Sequence, residues 1–252
     1  MRRLSIIILL TLAVALSGYC QRAVIAPLLQ TQWGQGAPYN LQCPVKNGVH
    51  CQTGCVATAM AQLMYFHQCP ADGFDWSNMQ LTYTGSETDK QKQAVARLMA
   101  ACGTAVDMDY GTGSSSAFAM DAAEAFSRNF GYKPTSGELF RMEYSDAEWE
   151  ELIYSELAAG RPVFYSGSPR GFFHQFLCDG YKDGKFHFNM AWPMVADGYY
   201  TLDEVCPAYS QTAVIGIEPA ATAVSTIAAE TKPQARAVEV YRLANLSLYK
   251  VY

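Results

Sequence analysis

The hydrophobic period of this chain changes at Pro162, and that change limits the folds open to it. Before Pro162 apolar residues recur at helical spacing, and after it they alternate. In "DKQKQAVARLMAACG" (residues 89–103) Val95, Leu98, Met99 and Cys102 form one stripe, with Gly103 as the stop. "SSSAFAMDAAEAFSRNFGY" (residues 114–132) reads as a second helix, capped near Ser116 and ended by Gly131. In "SDAEWEELIYSELAAGRP" (residues 145–162) Ser145 and Glu148 have capping-box spacing. Trp149, Leu152, Ile153 and Leu157 share a face there, and Gly160 with Pro162 closes the helix. Beyond it, "PVFYSG", "HQFLCDGY", "KFHFNMAW", "GYYTL" and "AVIGIEP" predict five strands, with Asp183-Gly184 as the turn between the second and third. Helices first and an antiparallel sheet after them give an α+β fold.

The ends of the chain stand apart from this pattern. Arg2 and Arg3 precede the apolar run "LSIIILLTLAVAL", and small residues follow at Ser17 and Gly18. That order predicts a secretory signal over residues 1–19, hence a secreted, periplasmic or cell-surface protein. A membrane span is the runner-up, but the run is short of the roughly 20 residues a span needs. Cys20 is a candidate lipid anchor, although the bulky Tyr19 before it favours simple cleavage. The folded domain is expected over residues 22–219. Residues 220–252 read as an Ala/Thr-rich linker and a short tail, either a frayed end or extra strand, or the remnant of a sorting or anchoring module. With a net charge of −5 and no basic run, the chain is not built to hold nucleic acid.

Chemistry is suggested first by "TGCVATAMAQ" (residues 53–62). Val56, Ala57, Ala59, Met60, Ala61, Leu63, Met64 and Phe66 leave almost no polar face, so the helix beginning near Cys55 is central and buried. At a helix N-terminus, unpaired N–H groups and the macrodipole favour a thiolate, and the same N–H groups can bind an oxyanion. Gly54 leaves room for a substrate backbone. A buried structural cysteine is the plainer reading of that position alone. Leaving Cys20 aside, the odd set of Cys43, Cys51, Cys55, Cys69, Cys102, Cys178 and Cys206 would leave at least one thiol unpaired in an exported protein. Cys43 and Cys51 read as a disulfide or as buried thiols.

Four histidines are available as a base. His67 lies about three turns along the nucleophile's own helix, out of reach. His50 is on the connecting loop, and His187 alternates with phenylalanines on a strand. His174 opens a strand after the glycine-containing "SGSPRGFFH", which suits a cleft wall. Asn189 follows, and the order Cys, His, Asn at such separations is that of papain-type peptidases. A three-residue turn centred on Asp183 would pair His174 with Trp192, and a two-residue turn shifts this by one, so an indole lies beside the base either way.

At this point the chain resembles the streptopain-type cysteine peptidases. The residues that carry the resemblance are "GQGAPYNLQCP", "GCVATAMAQLMYFH", "LMAACGTAVDMDYG", "GRPVFYSG", "HQFLCDGYKDGKFHFN" and "DGYY", in the family's order. The resemblance implies a papain-like fold and an endopeptidase with Cys55 as nucleophile and His174 as general base. It also implies a role for Gln35 in the oxyanion hole, and for Asn189 and Trp192 in orienting and shielding the imidazole. It implies protein or peptide substrates with a hydrophobic residue upstream of the cleaved bond, and no cofactor or metal. Phe172 and Phe173 stand where the family has glycines, Gln175 where it has alanine, and "NMAWPM" replaces its Trp and Gly residues. The alternative is therefore an impaired relative that binds peptides or acts as an inhibitor. The matching region begins near Ala26, which leaves no room for the long pro-region of many members, so either a separate inhibitor protein restrains activity or there is little activity to restrain. A metal module from Cys43, His50, Cys51, Cys55, His67 and Cys69 is the third reading, against which their spacing argues.

Overall fold

The computed structural model describes residues 22–192 and 196–221. The signal segment, Cys20, Pro193-Met194 and the tail from residue 222 lie outside the described residues. A short hairpin of β1 (Val45–Lys46) and β2 (Val49–His50) leads into α1 (Cys55–His67), followed by α2 (Asp89–Ala105) and α3 (Ala119–Phe130). Then come β3 (Glu138–Phe140), α4 (Asp146–Ala158), β4 (Val163–Gly167), β5 (His174–Lys182), β6 (Lys185–Asn189), β7 (Gly198–Tyr200), α5 (Leu202–Val205) and β8 (Thr212–Val214). The architecture is α+β. One six-stranded sheet runs in the order β3-β8-β4-β5-β6-β7, and every neighbouring pair is antiparallel.

Both faces of this sheet are covered at its centre, so β4 is buried throughout and β5 nearly so, rather than on alternate residues as expected. Phe164 on β4, Leu177 on β5 and Val214 on β8 join the core around α1, α2 and α3. Their immediate neighbours Val163, Tyr165, Phe176, Cys178 and Ala213 join Trp149, Ile153 and Leu157 of α4 on the opposite face. Adjacent strand residues point to opposite faces, so one run of sequence fills two cores. Within the second core Trp149 Nε1 donates to the Tyr165 hydroxyl at 2.8 Å. The capping box of α4 is present: the Ser145 hydroxyl accepts from Glu148 N, and the Glu148 carboxylate accepts from Ser145 N at 2.8 Å.

Several local expectations are corrected. The cap of α3 is Phe118, with no side-chain cap bond, rather than a residue near Ser116. Gly103 does not stop α2 but lies within it, and close packing requires a glycine there, since a Cβ would fall 2.0 Å from the Tyr110 hydroxyl. Among the described residues all seven cysteines are buried and unbridged, so Cys43 and Cys51 are buried thiols.

Candidate active site

Cys55 is the first residue of α1, and the turn before it is built to place it there. Gly54 has φ 83°, a conformation that disfavours side chains, and a Cβ on it would meet Met108 Sδ at 2.7 Å. The space beside Gly54 is thus filled by Met108, which corrects its expected role as room for substrate. The Thr58 hydroxyl donates to the Gly54 carbonyl at 2.9 Å and lies 2.8 Å from the Thr53 hydroxyl, which ties the first turn to its lead-in.

Two effects compete at the sulfur. Burial pushes the Cys55 thiol up to about 12, because a thiolate loses its hydration. The backbone N–H groups of Gln175, Val56 and Cys55 itself act in the opposite direction. Gln175 directly follows His174 at the start of β5, so the bond from its N–H brings the nucleophile to the strand that carries the candidate base. The Gln175 side chain is turned onto β4, where Oε1 accepts from Ser166 Oγ at 2.6 Å and Nε2 donates to the Tyr165 carbonyl at 2.8 Å. Its bulk in place of alanine therefore leaves its N–H on the sulfur. Phe172 projects into solvent at 69% exposure, while His174 is only 2% exposed.

His174 Nε2 lies 2.7 Å from the Met190 carbonyl. A carbonyl only accepts, so Nε2 carries the proton and Nδ1 is the basic nitrogen. The Trp192 indole packs against this imidazole with ring centroids 4.9 Å apart, and Phe176 stacks on it at 6.0 Å. Asn189 reaches the base one step removed. Its Oδ1 accepts from Ala191 N at 3.2 Å, and that N–H belongs to the same peptide unit whose carbonyl holds His174. The Asn189 side chain thus acts on the imidazole through a peptide group, in which each bond polarises the next. Ala191 has φ 50°, and this left-handed turn ends β6 and faces the peptide unit both ways.

Asn189 is itself held rigidly. Its Oδ1 also accepts from Gln62 Nε2 at 3.0 Å, and its Nδ2 donates to the Thr31 carbonyl at 2.7 Å. Gln62 lies two turns along α1 from Cys55, and its Oε1 accepts from the Thr31 hydroxyl at 2.7 Å. The nucleophile's helix therefore braces the base-holding segment from behind. Gln62 was missed in the sequence, although a glutamine in an otherwise apolar buried helix is a signal that a buried partner exists.

Gln35, Asn189 and Trp192 come together in one cleft of about 520 Å³, which Trp33, Gly34 and Asp197 also line. The Gln35 carbonyl accepts from Thr53 N at 3.0 Å, which sets that loop two residues before the nucleophile. His67 lies at the far end of α1 with Nδ1 3.2 Å from the Tyr132 hydroxyl, and burial lowers it to about 4. His187 pairs with the buried Asp179, Nδ1 to Oδ1 at 2.6 Å. Among the described residues no three His, Cys, Asp or Glu side chains gather as a metal site would require.

Known proteins resemble this chain in sequence and fold. The model of the peptidase C10 family matches residues 33–74 and 72–200. Streptopain of Streptococcus pyogenes is 33% identical over an alignment that covers 79% of this chain and 64% of streptopain, so the chain spans just under two thirds of that relative. The thiol protease/hemagglutinin PrtT of Porphyromonas gingivalis is 31% identical over 78% of this chain and 28% of its own length. Active wild-type interpain A, a cysteine protease of Prevotella intermedia, superposes with a TM-score of 0.69 at 30% identity, covering 77% of this chain and 95% of interpain A. A prointerpain A fragment superposes at 0.68, covering 78% of this chain and 73% of the fragment.

Proposed function

Because the chain belongs to the peptidase C10 family and has a papain-like α+β fold, we propose that it is a cysteine endopeptidase acting through Cys55 and His174. The observation that carries the reading is the coupled geometry of the base. Nε2 is held on the Met190 carbonyl, so Nδ1 is the nitrogen that takes the thiol proton.

Cys55 Sγ, its proton already passed to His174 Nδ1, attacks a substrate carbonyl, forming an S–C bond and placing the charge on the carbonyl oxygen. The Cys55 N–H and the Gln35 carboxamide bind that oxyanion. Collapse breaks the C–N bond, and the imidazolium gives its proton to the leaving amine. Water, deprotonated by His174, then attacks the acyl carbon, and collapse breaks the S–C bond, releasing the acid and restoring the thiolate beside the imidazolium. Between turnovers the two groups rest as a thiolate–imidazolium pair, because the imidazolium offsets the burial that otherwise raises the thiol. The N-terminal segment exports the chain, and its substrates are proteins or peptides. Cys20 offers a lipid anchor. Among the described residues no helix is long and apolar enough to cross a membrane.

The test is hydrolysis of casein and of a fluorogenic peptide by the reduced protein, with an epoxide inhibitor directed at active-site thiols. Covalent labelling of Cys55 and loss of hydrolysis in Cys55→Ala are expected. Undiminished cleavage by Cys55→Ala would overturn the assignment, and a folded wild type that neither cleaves nor labels would favour a peptide-binding relative.

A further inference from the structure

We infer that Asp197 is a positioning residue of the proposed hydrolysis: its carboxylate fixes the Met190 amide, and through that residue the carbonyl that holds His174. Asp197 Oδ1 accepts from Met190 N at 2.7 Å, and the Met190 carbonyl accepts from His174 Nε2 at 2.7 Å.

The placement follows from the hairpin that joins β6 to β7. Its last ladder pair is Phe188 with Gly198, and one step further the same register would set Asn189 opposite Asp197. The ladder gives out there, and the Asp197 side chain takes over by accepting from the next residue's N–H. A peptide unit is planar, so two dihedrals, φ and ψ of Met190, separate its amide from its carbonyl. Asp197 fixes the plane on one side of those dihedrals. Asn189 Oδ1 fixes the plane on the other through Ala191 N at 3.2 Å. With both planes held, the direction of the Met190 carbonyl is determined, and with it the orientation and tautomer of the imidazole. Asp197 also lines the cleft that holds Gln35 and Trp192, yet burial keeps its carboxyl above the usual carboxylate range, with His187 and Asp179 as the nearby charges.

A plainer role would be to satisfy a buried N–H, which would matter for stability and leave the reaction alone. Asp197→Asn, Asp197→Glu and Asp197→Ala separate the two, with kcat and KM on one fluorogenic peptide and the tautomer of His174 from its ring ¹⁵N shifts. Asparagine keeps an acceptor at the same distance, whereas glutamate keeps the charge and displaces it. Asp197→Ala and Asp197→Glu are expected to lose about 10- to 100-fold in kcat with KM within about three-fold, and Asp197→Asn to recover to within about three-fold of wild type. Read in a Cys55→Ala background, where the ring is neutral, His174 is expected to hold its proton on Nε2 with Asp197 intact and in Asp197→Asn, and to become a mixture in the other two. Wild-type kcat in Asp197→Ala, an effect on KM alone, or rescue by glutamate and not asparagine would overturn the inference. Where Asp197→Ala does not fold, the asparagine and glutamate pair decides. The inference rests on the peptidase reading only for the rates. If the wild type hydrolyses nothing, that reading fails, and the His174 tautomers across the variants still decide the role of Asp197.

Discussion

Asn189 holds Ala191 N at 3.2 Å, on the same peptide unit whose carbonyl lies 2.7 Å from His174 Nε2. The carboxamide and the imidazole are thus joined by a peptide group rather than by contact between side chains. A residue whose side chain is absent from the reaction, Met190, becomes the one that holds the base. Its backbone holds the base, while its side chain is buried in the second core.

Asn189→Ala should therefore weaken both stability and rate. It leaves the buried Gln62 amide, the Thr31 carbonyl and the Ala191 N–H without this partner. Each unmet buried group costs about 1–3 kcal/mol, so a loss of about 3 kcal/mol in urea unfolding is expected after partial relaxation. Of the protein that stays folded, kcat should fall with little change in KM. Wild-type kcat in folded Asn189→Ala would show that the relay does not orient the base.

His174→Gln should expose what burial alone does to the nucleophile. Without an imidazolium beside it, the Cys55 thiol is governed by desolvation, which pushes it up to about 12 against the pull of three backbone N–H groups. Alkylation of Cys55 by iodoacetamide should then be slow at neutral pH and climb only in the alkaline range, while the wild type reacts at neutral pH. Equal rates in the two proteins at pH 7 would mean that His174 does not activate the sulfur.

The parts of this site that were legible in sequence are those fixed by local rules. Cys55 at a helix start, the Ser145–Glu148 box and the five strands each follow from spacing within a few residues. The register beside the base was legible only as two alternatives. The turn proves to be the two-residue form, with Lys182 opposite Lys185 and φ of 50° and 79° at Asp183 and Gly184. A bulge between Cys178 and Gly180 then shifts the frame by one, so that Leu177 faces Asn189 as the three-residue form would have it. The bulge is not a local matter: Asp179 is held by His187 and by Leu29 N at 3.0 Å, and Leu29 is remote in sequence. The β1–β2 hairpin was missed although Asn47-Gly48 is a strong turn signal, with φ of 52° and 76°. Strand β3 was missed because it is only three residues long and is recruited by pairing with β8.

His67 should make the fold sensitive to mild acid. Its folded pKa is lowered from 6.5 to about 4, mainly by burial, with Glu218 opposing weakly. Between those values the unfolded chain binds a proton that the folded chain does not, so stability falls as pH falls. The contribution is full above pH 6.5 and lost on the way down to about 4. Buried carboxyls that are raised, such as Asp179 and Glu138, act in the opposite sense, so the measurement is a difference. The melting temperature of wild type should drop more steeply over this window than that of His67→Gln. Parallel curves would show that His67 is not buried in its neutral form.

Ala191 supplies the turn on which the relay depends, and its substitutions should separate backbone from side chain. Its φ of 50° faces the Met190–Ala191 peptide unit toward His174 at one end and Asn189 at the other. A left-handed residue with a Cβ costs about 1–2 kcal/mol, and a glycine avoids that cost. Ala191→Gly also gives up a buried methyl, worth about 0.8 kcal/mol, and adds freedom to the unfolded chain. These terms nearly cancel, so Ala191→Gly should melt close to wild type and retain most of its kcat. Ala191→Val carries a branched side chain that resists positive φ more strongly. Either the strain is retained and stability falls by about 2 kcal/mol or more, or φ turns negative and the peptide unit leaves both partners. In both cases Ala191→Val should lose at least about 10-fold in kcat, since a displaced base costs rate steeply. Equal kcat values for the valine and glycine variants would show that the orientation of this peptide unit does not control His174.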